Sequence, residues 1–346
     1  MFVDLLLLFM LLLVPLSYIE EIDRKIMFIY GLLVFLMVLL AGFRPFGVDE
    51  DSMNYLALYY NPDSEMVEPS FFYICHFASQ VFNSPRVLFV VYAMLSVCLK
   101  GVALVRLTRL WFLSLLVWTS HYYIMQDLTQ IRVAVSTGFF LLAVYFLAEG
   151  KRWWYTLLIA CATLFHFSSV ILFFLLFLSN KKLTSRARLI LVLMPVSAYV
   201  AYIMKIDPVI MLPIPYIQNK IEVYETMRDI GFAGDEINVF NIAILLKLVI
   251  FYFLIWKYEI IEAYYKYLPI MLKIYALSLT AFAGLAFLPV LSFRVSELLG
   301  VVDILLIPMI LYAVKPRYAG VTLVVLYAVG IFMLNVFYNE YLKISF

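Results

Sequence analysis

Residues 26–43 read IMFIYGLLVFLMVLLAGF, a run without a single charge that stops at Arg44-Pro45. A helix of that length rises about 27 Å, close to the roughly 30 Å hydrocarbon core of a bilayer. Working outward, similar runs recur at 2–19, 87–105, 110–125, 132–148, 153–166, 167–179, 189–205, 238–256, 268–290, 295–313 and 318–337, which makes twelve candidate spans. Composition agrees. Apolar residues form 66% of the 346 and charged residues 14%, against about 45–50% and 25% in soluble domains. The fold class expected is an all-α integral membrane protein, a polytopic helical bundle forming one transmembrane domain over 1–346.

The same numbers exclude other classes. A net charge of +2 offers nothing to hold nucleic acid. Cys75, Cys98 and Cys161 are odd in number and lie among apolar neighbours, so neither a disulfide framework nor a metal knuckle can be built from them. The first run lacks a basic leader and a small-residue cleavage site, and reads as a retained span. The sixth and seventh spans are short and meet at His166-Phe167-Ser168-Ser169, as a hairpin or as one kinked helix.

Basic residues orient the bundle. Alternate connections divide Lys and Arg fifteen against eight, Lys100 being counted with the larger set, and the richer side faces the cytoplasm. Trp111, Trp153, Trp154 and Trp256 lie beside those basic turns, as interfacial anchors do. Carboxylates gather on the opposite side, where segments 44–86 and 206–237 are also the longest connections. Long ordered loops usually carry function, so chemistry is expected on the outer face. The stretch 70–83 is apolar but too short to span, and is expected to dip in and return. In 206–237, Tyr216 to Asp229 reads as an amphipathic lid, with Arg228 as a ligand contact.

Several residues are out of place in lipid. Arg44 closes the second span beside Asp49, Glu50 and Asp51, and the segment continues through Tyr55 to Glu68-Pro69. Arg132 opens the fifth span, where pairing with Asp127 is one reading and ligand contact the other. His166 lies where the two short spans meet. Arg294 and Glu297 open the eleventh span one helical turn apart, which allows them to pair. Lys247 and Asp303 are a second candidate pair, and Lys273 is left unassigned. Guanidinium binds phosphate with forked hydrogen bonds, so arginines collected on one face point to a phosphorylated, lipid-anchored substrate. HExxH, GxSxG and Walker motifs are absent from the sequence.

These outward blocks resemble a known family. Gly42-Phe43-Arg44, Gly47-Val48-Asp49-Glu50-Asp51, Tyr55, and Glu68-Pro69-Ser70-Phe71 resemble the opening of the EpsG-like branch of Wzy polysaccharide polymerases. Gln130-Ile131-Arg132-Val133-Ala134, Phe165-His166-Phe167-Ser168-Ser169 and Phe293-Arg294-Val295-Ser296-Glu297 resemble its later blocks, in order, over nearly the whole chain. The resemblance implies a bacterial inner-membrane polymerase for O-antigen (lipopolysaccharide), capsule or exopolysaccharide, with a GT-C-like architecture and no metal or other cofactor. Donor and acceptor would both be undecaprenyl-diphosphate-linked glycans, met outside the cytoplasm, with a chain-length regulator and a flippase as further partners. The Arg-x10-Gly and His-x5-Gly patterns of some polymerases are absent, so roles from that branch do not carry over.

On this reading Arg132 and Arg294 stabilise the departing diphosphate, with Arg44 as a third cation and Asp49, Tyr55 and Glu297 beside them. His166 is the first choice for general base, since an ordinary imidazole titrates near working pH; Glu68 or Asp51 is the runner-up. An O-antigen ligase shares the donor chemistry but has a different acceptor. A lipid-linked oligosaccharide flippase would need charges at both depths, whereas here they gather on one side.

Overall fold

A computed structural model describes residues 1–19, 23–61, 67–206 and 237–343. Among them every named element is helical: sixteen α-helices, interrupted by short 3-10 and π segments. Six are long and apolar enough to cross a bilayer: Arg24–Gly42, Pro85–Leu107, Ile131–Ala148, Ser185–Ile203, Pro289–Ala313 and Arg317–Tyr338. Each coincides with an expected span. Shorter apolar helices cover Phe2–Leu16, Trp111–Ser120, Phe167–Phe177, Ile242–Trp256 and Leu268–Gly284. The protein is thus a helical, multi-pass membrane protein.

In chain order α1 is Phe2–Leu16, α2 Arg24–Gly42, α3 Ser52–Tyr60, α4 Pro69–Phe77, α5 Pro85–Leu107, α6 Trp111–Ser120, α7 Ile131–Ala148, α8 Arg152–Phe165 and α9 Ser185–Ile203. The chain divides into two compact units. The first comprises 1–180, 260–267 and 303–346, and the second 181–259 and 268–302.

The first unit is built on the contact of α5 with α7. Gly138 permits it: a Cβ there would lie 2.9 Å from Leu99 Cβ and 3.2 Å from the Ser96 carbonyl oxygen. Lys100 follows directly and is fully buried. That corrects its placement in a cytoplasmic connection, since it stands inside a 23-residue helix; the charge bias loses one count and keeps its sign. Between α6 and α7 the backbone widens into a π segment, Tyr123–Thr129, and breaks at Gln130.

The short sixth and seventh spans form a hairpin. The chain leaves α8 at His166, which is extended at φ −153° and ψ 112°, and continues as a 3-10 helix over Phe167–Phe177. The Tyr155 hydroxyl donates to the Leu172 carbonyl at 2.5 Å. Seventeen residues of one continuous helix would hold those atoms about 25 Å apart, so the two arms run back alongside each other. His166 is the tip.

In the second unit, the Ser278 and Ser292 hydroxyls donate to the Ser296 and Phe282 carbonyls, each at 2.7 Å, and tie Leu268–Gly284 to Pro289–Gly300. The Tyr258 hydroxyl accepts from the Leu183 amide at 2.9 Å. Glu259 accepts ion pairs from Lys182 and Arg188 at 3.0 and 3.2 Å.

Candidate functional site

The site in the first unit grows from the acidic segment after α2. Gly47 adopts φ +80°, a left-handed turn that a side chain would strain, and its amide donates to the Ser52 hydroxyl at 2.7 Å. That turn folds Asp49 inward. One carboxylate oxygen accepts from Arg44 Nε at 2.9 Å, and the other from the Ser52 amide at 2.8 Å and the Asp51 amide at 3.1 Å. Asp49 therefore caps α3 with its side chain while neutralising Arg44. Both side chains are fully buried.

Arg44 also donates to the Ala41 carbonyl at 2.8 Å and lies over the Phe89 ring at 4.7 Å. Burial this complete makes it a strut for the loop, not a residue that snorkels to the interface. Arg86 adds a second strut. Its guanidinium donates to the Arg44 carbonyl at 2.5 Å and stacks on Phe46 at 3.8 Å. A backbone bridge from Asp49 to Leu342, with the Lys343 amide donating to the Val48 carbonyl at 2.7 Å, fastens the loop to the chain's last described residues.

Once the loop is held, Asp51 and Tyr55 face the start of α7. Glu68 arrives from the foot of α4, where Pro69 sets the first helical turn. Its carboxylate takes Arg132 Nη1 on one oxygen at 2.5 Å and stands 3.3 Å from His166 Nδ1 on the other. The Tyr55 hydroxyl hydrogen-bonds the same guanidinium, which lies 5.6 Å from the Tyr55 ring and 5.5 Å from Phe71. The Ser136 and Ser169 hydroxyls join α7 to the hairpin beyond its tip. Four sequence segments thus meet: 51–55, Glu68, Arg132 and His166. Beneath them Tyr55, Phe71, Phe89, Tyr92 and Ile131 form an apolar floor.

Electrostatics distinguish the three carboxylates. Burial pushes Glu68 upward, but the hydrogen bond to His166 and the Arg132 charge outweigh it and hold the carboxyl down at about 2. Asp51 goes the other way. Burial, then the neighbouring charges of Asp49 and Glu50, raise it, against a smaller pull from Arg132. Asp49 is spent in structure. Burial also pushes the Tyr55 phenol up to about 12, so it stays a neutral donor and acceptor.

Exposure matters for access. The Arg132 side chain keeps 27% and that of His166 14%, whereas that of Glu68 keeps 6%. A ligand can reach the guanidinium and the ring, with the carboxylate behind them.

Two pairings that the sequence allows are not formed. Arg132 pairs with Glu68; Asp127 instead binds Lys100 at 2.8 Å, both fully buried. Glu297 lies 3.6 Å from Lys247, and Arg294 is exposed with no ion pair among the described residues. Asp303 accepts from the Tyr122 hydroxyl at 3.4 Å. Arg294 and Glu297 belong to the second unit. Residues 207–236, with Arg228 and the whole of the expected lid from Tyr216 to Asp229, lie outside the described residues. Clusters of His, Cys, Asp and Glu able to hold a metal ion do not occur among the described residues.

A family model spans residues 27–345 and takes in every site residue named above. The chain belongs to the EpsG family. That family is linked to exopolysaccharide synthesis. Neither the curated proteins nor the solved structures contain a match. Within this EpsG-family chain, sequence reading missed Arg86, Ser136 and the role of Lys100. Arg86 had one signal, an external arginine placed against the charge bias; Ser136 had none, whereas its partner Ser169 closes the histidine block.

Proposed function

We propose that this EpsG-family protein polymerises lipid-diphosphate-linked glycan units, and that Glu68, Arg132 and His166 form its reacting centre. The observation that carries the reading is the convergence of Arg132 and His166, from distant parts of the sequence, onto the Glu68 carboxylate. An acceptor hydroxyl attacks the anomeric carbon of the donor. The new C–O bond forms as the bond to the diphosphate oxygen breaks, and the lipid diphosphate leaves as an anion. The hydroxyl proton passes to His166 Nε2, because Glu68 accepts the Nδ1–H and so fixes the tautomer with a free Nε2. Arg132 opposes the charge developing on the diphosphate.

Glu68 is not the base in this scheme: both its oxygens are engaged and its carboxyl is held near 2. The raised Asp51 carboxyl is the second candidate base. Arg44 shapes the loop from below. A GT-C-like bundle, an extracytoplasmic site and an undecaprenyl carrier belong to the same proposal, supported by the charge bias and the resemblance.

The test is chain extension. Arg132→Ala and His166→Ala proteins that insert normally are expected to lose about 10²–10³-fold or more of the rate. Normal polymer length in both variants would overturn the reading. In a deletion strain, single repeat units left unpolymerised support it. A strain with no repeat transferred at all points to a ligase or flippase.

A further inference from the structure

Behind the site lies a buried ionic cluster that the proposed chemistry does not use. Lys100 Nζ donates to Asp127 Oδ2 at 2.8 Å and to Gln126 Oε1 at 3.3 Å. The Trp118 indole donates to the same Asp127 oxygen at 2.9 Å. Thr137, on α7, donates to Gln126 Oε1 at 2.8 Å. The partners come from four elements, α5, α6, the π segment before α7, and α7 itself. Asp127 and Gln126 are fully buried as well.

Such a pair is an uneconomical way to hold helices together. Stripping water from two charges costs about as much as their attraction returns, so apolar side chains of like size would serve stability equally well. Ions inside a membrane bundle default instead to a functional reading. The place of this one says which. It grips the π segment that precedes Arg132, where the backbone has left the α-helical track and breaks at Gln130 before α7 begins. Gly138 lets α7 lie against α5, but a smooth contact alone leaves the helix free to turn about its axis. One residue of rotation swings a side chain by about 100°, which would carry Arg132 away from Glu68.

We infer that Lys100 and Asp127 are a positioning pair: with Gln126 and Thr137 they set the rotational register of α7 and hence the reach of the Arg132 guanidinium into the reacting centre. The inference rests on the proposed role of Arg132.

The experiment uses the full chain in lipid nanodiscs with a diphosphate-linked oligosaccharide as donor and acceptor. Lys100→Met/Asp127→Leu removes both charges, and is expected to keep or raise the thermal midpoint while slowing extension at least tenfold, in kcat more than in KM. Combined with Arg132→Lys, which keeps the charge, it is expected to add less than threefold to the loss Arg132→Lys causes alone. A helix contact that is merely structural would not produce that coupling. If the double variant fails to fold, Thr137→Val, which removes one hydroxyl, carries the same cycle. A parental rate in the folded variant, or a full multiplicative loss on top of Arg132→Lys, overturns the inference. If instead Arg132→Lys and Arg132→Ala both extend chains normally, the reading of the site itself falls.

Discussion

Replacing Glu68 by glutamine probes the site most closely, because it changes one oxygen to an amide nitrogen and little else. Arg132 is a donor without acceptor capacity, so the new side chain must turn its carbonyl oxygen toward Nη1, which lies 2.5 Å from the carboxylate in the parent. Its NH₂ then faces His166 Nδ1, 3.3 Å away. An amide N–H can only donate there. The ring responds by leaving Nδ1 bare and carrying its proton on Nε2, the atom that must receive the acceptor's proton. The variant is therefore expected to keep its shape and lose its chemistry.

The magnitudes follow. A charge-assisted hydrogen bond becomes a neutral one, and Arg132 is a quarter exposed, so the stability cost is about 1–2 kcal/mol. A base held in the wrong tautomer by the matching substitution in a catalytic triad loses about 10⁴ in rate. Here, with a longer contact at 3.3 Å, about 10²–10⁴ in kcat is expected. Purified protein and a lipid-diphosphate-linked oligosaccharide supply the assay, read as a product ladder, with thermal midpoints taken alongside. Turnover within threefold of the parent, in a folded Glu68→Gln protein, would refute the tautomer argument.

Two further outcomes are expected. Because the folded protein depresses the Glu68 carboxyl to about 2, its contribution is fully present above the ordinary value of about 4.5 and is lost as pH falls toward 2. Discounted for solvent, it amounts to on the order of 2 kcal/mol. Thermal scans from pH 3 to 7 should show parent and Glu68→Gln converging at the acid end, and a constant gap would contradict the ion pair. Gly320→Ala should destabilise by about 1–3 kcal/mol, since a Cβ there meets the Leu311 Cα at 2.6 Å. Gly330→Ala, in the same helix with nothing within 4 Å, should be neutral or gain up to about 1 kcal/mol; equal midpoints for the two variants would count against the helix contact.

The spans were legible because lipid demands long apolar runs, and a run such as 26–43 has no other economical fate. The blocks around Arg44, Glu68, Arg132 and His166 were legible as residues out of place. Their partners were not. Asp127 lies five positions from Arg132, and proximity in sequence suggested a pair; the π segment turned it inward to Lys100, which falls within the expected span 87–105 although the charge count placed it with the connections. The hairpin at His166 was undecided for a similar reason. A kink and a reversal have the same hydropathy, and only the Tyr155–Leu172 bond separates them.

Asp49 and Asp51 make the same point at closer range, and with a consequence for chemistry. Both are acids in one short run, two residues apart, and on charge alone they are equivalent. Gly47 separates them. Its left-handed turn aims Asp49 at Arg44, where two amides and a guanidinium satisfy every demand of the carboxylate. Asp51 is left near Arg132 with two like charges beside it and a raised carboxyl. The fold has thus spent one acid on its own loop and left the other half-buried beside Arg132. Arg132 needs such neighbours. It sits in the first turn of α7, where the helix dipole already favours negative charge, and a guanidinium there is tolerable because Glu68 answers it. A diphosphate would meet both the dipole and the remaining guanidinium edge. On the proposed reading the arrangement is an anion site that carries its own counter-charge at rest, and the carboxylate that supplies it is the one that also meets the histidine.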